Sequence, residues 1–264
     1  MTMAAGKVVF ALILASFLVA DADNNEHGTV MFGYGGPTGP DKWASLSPAY
    51  EMCSKGQNQS PVNIDKNEVA YNPDLEAMER DYVPANATLV NNGYHIALLL
   101  DKNVGTVLVD GKNYSLKSVH WHSPSEHTID GQRYVLTLAN DIKLDVVLNK
   151  DSYQIQKHLK ELAKETCKGD EEAHFPVGVV QTRVLKRHTN KYYRYFGSLT
   201  TPPCTENVIW TILGKVREMA KEQAAALQAP LHQEYRNNSR PTQPLNNRAV
   251  QLYHESKKHD EKSL

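Results

Sequence analysis

The sequence predicts a mostly β domain built on one large twisted sheet, with a few helices at its surface. Short stretches of strand character recur between turns at 87–90, 95–100, 106–109, 114–122, 134–139 and 142–148. Helical spacing is confined to 157–165, where Leu159 and Leu162 sit among charged residues, and to 217–227, which is full of Ala, Lys, Glu and Gln. The composition fits a single ordinary globular domain: 264 residues, 41% hydrophobic and 22% charged, argue against a disordered chain or a repeat array.

Taken in order, Lys7, the apolar run from Val8 to Ala20 and then Ala20-Asp21-Ala22 have the layout of a signal peptide, with cleavage expected after Ala22. The run falls short of the roughly 20 residues that a spanning helix needs, so a secreted protein is expected and a membrane anchor is not. Residues 23–254 then make the domain and 255–264 a charged tail. The Gly- and Pro-rich stretch 32–48 reads as an irregular lead-in, packed down by Tyr34 and Trp43.

Formal net charge is −1, with both signs spread along the chain. No field for nucleic acid or an anionic membrane is expected, and a small molecule is the expected ligand. Of Cys53, Cys167 and Cys204, two can pair in an oxidising compartment and one is left over; spacing alone does not choose among them. Asn86-Ala-Thr88 is the first of three sequons and the expected glycosylation site.

The chemistry concentrates at His120-Trp121-His122. In a strand, alternate side chains share a face, so both imidazoles point one way and Trp121 the other, an arrangement that suits a metal. An H-x-H pair by itself is common without metal, and the surrounding segments carry more weight.

Those segments are Ser118-Val-His-Trp-His-Ser-Pro-Ser-Glu-His-Thr128, Gly197-Ser-Leu-Thr-Thr-Pro-Pro-Cys204 and Asn238-Ser-Arg-Pro-Thr-Gln-Pro-Leu-Asn-Asn-Arg248. With Gly33-Tyr-Gly35, Trp43, Gln59-Ser-Pro61 and Asn91-Asn-Gly93, they resemble in order and spacing the α-carbonic anhydrases, and within them the plant branch that includes the tuber storage and nectar proteins. The resemblance runs from about Gly33 to Tyr253. It implies a largely antiparallel twisted sheet and a zinc ion held by three histidines, whose bound hydroxide attacks carbon dioxide to give bicarbonate.

Residue by residue, the resemblance makes His120 and His122 two of the zinc ligands, Thr200 the hydroxyl that orients the bound hydroxide, and Glu126 the carboxylate that accepts the Thr200 proton. It sets Thr201, Val119, Leu199 and Trp210 on the substrate side, and has Tyr34 and Asn92 hold cavity water. His127 is expected to be a buried hydrogen-bonding residue. Tyr94 occupies the place of the usual proton-shuttle histidine, with His95 beside it as a displaced shuttle. Cys53 and Cys204 match the disulfide of secreted members, which leaves Cys167 as the odd thiol. Secretory targeting, to the apoplast or onward to the chloroplast, follows for plant relatives.

One segment departs from the pattern. The family's Glu-Leu-His triplet, whose histidine is the third zinc ligand, is replaced by Thr137-Leu-Ala139, and the chain is shortened directly afterwards, where Asn140-Asp141 leads into 142–148. Two histidines are one short of the three protein ligands that a catalytic zinc site uses. The expectation is a family member with impaired or absent carbon dioxide hydration. The alternatives are an active zinc enzyme, either completed by a substitute ligand such as Asp141 or represented by a mis-spliced sequence, and a metal-free storage or binding protein.

Overall fold

The computed structural model describes residues 8–16, 31–100, 104–133, 136–139, 158–159, 162, 173–182, 189–219 and 221–256. The expected strand at 142–148, Asp141, Cys167, the Ala22 cleavage site and most of the charged tail lie outside them.

The strands, in chain order, are β1 (Val8–Ser16), β2 (Asn63–Ile64), β3 (Ala70–Tyr71), β4 (Ala85–Asn91), β5 (Ile96–Leu100), β6 (Thr106–Val109), β7 (Lys112–Ser115) and β8 (Ser118–His122). They continue as β9 (Thr128–Ile129), β10 (Gln132–Arg133), β11 (Leu136–Ala139), β12 (Ala173–Val180), β13 (Lys191–Ser198), β14 (Glu206–Met219) and β15 (Gln251–His254). Ten of them form one sheet in the order β12-β4-β5-β8-β11-β1-β14-β13-β15-β3. Its pairings are antiparallel apart from β1 with β11 and β15 with β3. The mainly β architecture with peripheral helices is therefore as the sequence predicts.

Both faces of this sheet are covered, and β13 shows why its sequence is rich in tyrosine. Tyr192 packs into one core with Leu89, Leu98, Val119, Trp121 and Leu213, while its neighbours Tyr193 and Tyr195 enter a second core with Trp210 and Ile212. Period-two alternation assigns the two cores to opposite faces. The first is roofed by helix α3 (Lys221–Gln228), through Ala224 and Leu227, and by Leu159 and Leu162. His158, Leu159 and Leu162 are helical, as the spacing over 157–165 predicts.

The stretch predicted as one strand at 114–122 is two, because β7 pairs with β6 across the Asp110-Gly111 turn in a separate two-stranded sheet while β8 joins the ten-stranded one. Both turn residues have positive φ, 49° and 74°, as a two-residue hairpin needs. The helix predicted from 217 begins later. Arg217, Glu218 and Met219 end β14, where they pair with Phe10, Val9 and Val8. Sheet pairing thus overrides a local helical preference.

The lead-in contains no strand and winds through short helices, among them α1 (Trp43–Leu46) and α2 (Met52–Lys55). Trp43 is fully buried against Phe32 and donates its indole N–H to the Gly33 carbonyl at 2.8 Å. Cys53 in α2 is disulfide-bonded to Cys204, 151 residues away. Beside that bridge the buried Arg240 guanidinium donates to the Cys53 and Ser60 carbonyls and to Gln59 Oε1 at 2.7–2.9 Å, and lies over the Trp43 ring. These charge-assisted bonds tie the 53–60 stretch to the distant segment around Arg240.

The N-terminal run takes a central place. β1 lies between β11 and β14, parallel to the first and antiparallel to the second. If residues 1–22 are removed, two interior strands lose a partner and become edges. A chain comprising 23–264 is expected to show a lower urea midpoint and more self-association than 1–264, as read by urea titration and size-exclusion chromatography. Equal behaviour would mean that another segment takes the slot. Opening the Cys53–Cys204 bridge, as C53S/C204S, is expected to cost up to about 5 kcal/mol for a loop of this length, measurable in the same titration.

Candidate functional site

His120 and His122 lie on β8, which has β5 on one side and β11 on the other. On the β11 side Ala139 pairs with His120 and Thr137 with His122. Directly opposed residues share a face, so positions 137 and 139 stand on the histidine face of the sheet. On the β5 side His120 pairs with Ala97. Continuing that register by two residues brings His95, just before β5, opposite His122 on the same face.

The three imidazoles form one cluster. Ring centroids are 4.6 Å apart for His95 and His120, 5.0 Å for His120 and His122, and 6.1 Å for His95 and His122. His122 is fully buried, and its Nδ1 donates to the Asn238 carbonyl at 2.6 Å. That bond makes Nδ1 the donor and turns Nε2 toward Glu126, whose Oε2 lies 3.6 Å away. Among the described residues, Nε2 of His122 and Nδ1 of His95 are buried without a hydrogen-bond partner. His95 Nε2 accepts from Asn92 Nδ2 at a long 3.3 Å. Burial, with the nearby His122, pushes His95 down to about 3, and burial also holds His120 well below the ordinary imidazole value. His95 and His120 are therefore uncharged in neutral solution.

Asn238 holds the turn after β8 in place. Its side chain accepts from Ser123 N at 2.8 Å and donates to the Tyr94 carbonyl at 2.8 Å, while its backbone N–H donates to the Ser123 carbonyl. Glu126 is buried and accepts the Arg240 backbone N–H at 3.2 Å. Asn238 and Arg240 both lie in a segment that marks the resemblance. A sequence reading assigns them no role, because the groups they hold, at Ser123, Tyr94, Gln59 and Cys53, lie far away along the chain.

The remaining expected residues divide by face. Trp210 packs in the second core with its ring 4.7 Å from that of His127, and Leu199 lies against the same core. Both are on the histidine side, and Thr200, on the turn after β13, is buried next to half-buried Thr201. Val119 is a correction: odd-numbered on a strand whose histidines are even, it faces away and is sealed into the first core with Leu98 and Trp121. Tyr34 packs edge-on to Trp43 with its hydroxyl buried and unpartnered; burial and the nearby Glu126 raise its pKa. Tyr94 stacks on Phe32 at 4.2 Å and joins an aromatic cluster. His127 is fully buried, with Nε2 2.5 Å from the Tyr195 hydroxyl. Asn86 is exposed on β4.

The residues present do not reproduce a three-histidine zinc site of the family type. The Nδ1-anchored His122 suits a ligand, but position 139 offers a methyl group. Among the described residues no group of three His, Cys, Asp or Glu side chains is placed to hold a metal ion as it stands.

A sheet of this order, with paired histidines on its central strand and a disulfide-anchored Thr-Thr-Pro-Pro turn beside them, defines a carbonic anhydrase-type protein. The family profile for eukaryotic-type carbonic anhydrase matches residues 38–153 and 142–254. The chain belongs to that family. It is 40% identical over 228 residues to Alpha carbonic anhydrase 7 of Arabidopsis thaliana, covering 81% of each chain. It is 32% identical over 266 residues to Dioscorin DB3S of Dioscorea polystachya, covering 97% of this chain and 98% of the relative. Among solved structures, dioscorin complexed with ascorbate superposes with a TM-score of 0.76 at 30% identity, over 85% of this chain and 98% of that one. The α-carbonic anhydrase of Thermovibrio ammonificans, complexed with the inhibitor sulfanilamide, gives 0.69 at 32% identity, over 85% and 100%. The two profile matches overlap at 142–153, just beyond Ala139, where the chain departs from the family pattern.

Burial, followed by the charges of His122, Arg133 and Arg248, holds His127 well below its ordinary value. The unfolded chain protonates this histidine near pH 6.5 while the folded chain does not, so stability present above that pH is lost as pH falls. For this fully buried ring the expected slope is about 1.4 kcal/mol per pH unit below pH 6.5. Urea titrations between pH 4 and 8 should show it on top of the like contributions of His95 and His120, and His127→Gln should make the dependence shallower by about that amount.

Proposed function

We propose that this chain is a secreted α-carbonic anhydrase family protein in which carbon dioxide hydration is lost or severely impaired, and whose cavity serves a storage or small-molecule-binding role. The observation that carries this reading is the register of β11 on β8, which pairs Ala139 with His120. The family reaction depends on zinc, which when bound supplies a hydroxide at neutral pH. A methyl group at position 139 supplies no electron pair, and Thr137 brings no carboxylate to support the shell.

The rest of the cavity is retained, which favours a protein kept for its fold and binding surface over one decaying as a whole. Glu126 is buried and hydrogen-bonded, Asn238 clamps His122, and Trp210 and Leu199 keep an apolar wall. Similarity to dioscorins along nearly the whole chain supports the same reading, and one of them is known in complex with ascorbate. The Cys53–Cys204 disulfide supports passage through an oxidising compartment.

Stopped-flow hydration of carbon dioxide tests the proposal. The purified chain, supplied with zinc, is expected to turn over at least a thousand-fold below the ~10⁶ s⁻¹ that a zinc-hydroxide centre reaches. Ala139→His is expected to raise the rate without restoring it fully, since Thr137 remains. A wild-type rate near the family ceiling would overturn the proposal.

A further inference from the structure

We infer that a second cavity, on the face of the sheet away from the histidines, binds a small zwitterion, namely an α-amino acid with an apolar side chain. The inference does not rest on the proposed loss of carbon dioxide hydration, and the two sites share no residue.

The cavity has a volume of about 850 Å³, within the ~300–1,000 Å³ usual for small-molecule sites. Its floor is β13 and β15, and its walls are the stretch 72–79 and the Asp110-Gly111 turn between β6 and β7. On β13, Tyr192 and Arg194 share one face, while Tyr193 and Tyr195 enter the core on the histidine side. Hydrogen bonds hold the walls in place. The Tyr192 hydroxyl donates to the Glu76 carbonyl at 2.7 Å, the Leu108 N–H to the Glu79 carbonyl at 3.0 Å, and the Asn72 N–H to the Leu252 carbonyl at 3.1 Å.

Arg194 supplies the specific contact. Only 3% of it is exposed, its guanidinium lies over the Tyr192 ring at 5.2 Å, and Tyr192 in turn stacks on Tyr253 at 4.8 Å. Nε donates to Thr211 Oγ1 at 3.0 Å and Nη1 to Asp110 Oδ1 at 2.7 Å. Nη2 has no hydrogen bond among the described residues and is the nitrogen left to face the cavity. A guanidinium fixed at two nitrogens presents the third as a preorganised charged donor, and a carboxylate is the acceptor it binds most strongly.

A simple anion would be repelled. Asp74, Glu76 and Glu79 on the wall are exposed and make no ion pair among the described residues. With Asp110 and Glu255 they set five carboxylates against the single arginine of the lining, so the ligand needs positive charge as well. Leu75, Met78 and Val109 complete the lining with apolar surface. A carboxylate for Arg194, an ammonium for the acidic wall and a side chain for the apolar surface together describe an α-amino acid.

Isothermal titration calorimetry of the full chain with L-leucine is the test. One leucine per chain is expected. Isoamylamine, which lacks the carboxylate, and isocaproate and N-acetyl-L-leucine, which lack the ammonium, should each bind about ten-fold more weakly or worse. Arg194→Gln is expected to cost about ten- to hundred-fold in leucine affinity, the worth of one charge-assisted hydrogen bond. E76Q/E79Q, changed at exposed positions, is expected to weaken leucine but not isocaproate, and it keeps the test open if a urea titration shows Arg194→Gln to be unfolded. His120→Ala, on the opposite face, should bind leucine as the wild type does. No leucine binding by the wild type, or unchanged affinity in folded Arg194→Gln or in E76Q/E79Q, overturns the inference. So does loss of binding in His120→Ala, which would put the ligand among the histidines, or N-acetyl-L-leucine bound as tightly as leucine, which would make the cavity a seat for a peptide C-terminus. Carbon dioxide hydration by the same samples reports on the proposed function alone.

Discussion

The interaction on which the site depends is the antiparallel pairing of β8 with β11. Because side chains alternate along a strand, this register settles which residues of β11 join His120 and His122 on one face, and it selects Thr137 and Ala139. A slip of one residue would deliver Leu136 and Leu138 instead. Everything else at the site is support. Asn238 orients His122, Arg240 joins Glu126 to the lead-in, and the disulfide holds the Thr200 turn against α2. The family scaffold persists around an altered ligand set, because the support lies in main-chain hydrogen bonds and packing that a change at position 139 does not disturb.

The same sheet explains why the shortening after Ala139 matters beyond one residue. A position between β11 and β14 must be filled for two interior strands to keep their hydrogen bonds, and β1 fills it. Its register carries the alternation across the gap. Leu138 pairs with both Trp121 and Leu12, and Leu12 with Leu213, so along this row the pairing runs unbroken from β8 to β14. An apolar run with the layout of a signal peptide is also, by composition, a good buried strand, and the two roles compete for the same residues.

Much of this was legible in the sequence because it rests on local pattern. Residues 106–109 are a strand with the predicted bounds, and the parity of His120 and His122 follows from strand alternation alone. What escaped depended on contacts between distant segments. Residues 217–219 read as helix because their propensities are helical, yet β1 draws them into β14. Val119 was misplaced because its neighbours belong to the site, while parity turns it into the core. His95 read as a displaced shuttle beside Tyr94. Only the β5–β8 register shows it standing across from His122, as part of the histidine cluster.

The central claim is that Ala139, opposite His120, leaves the family's zinc position without its third ligand. Zinc stoichiometry of the purified chain and of Ala139→His, after dialysis against a low zinc concentration, tests it most directly. The account predicts far less than one zinc per chain in the wild type and a clear gain in the variant. One tightly held zinc per chain in the wild type would contradict it.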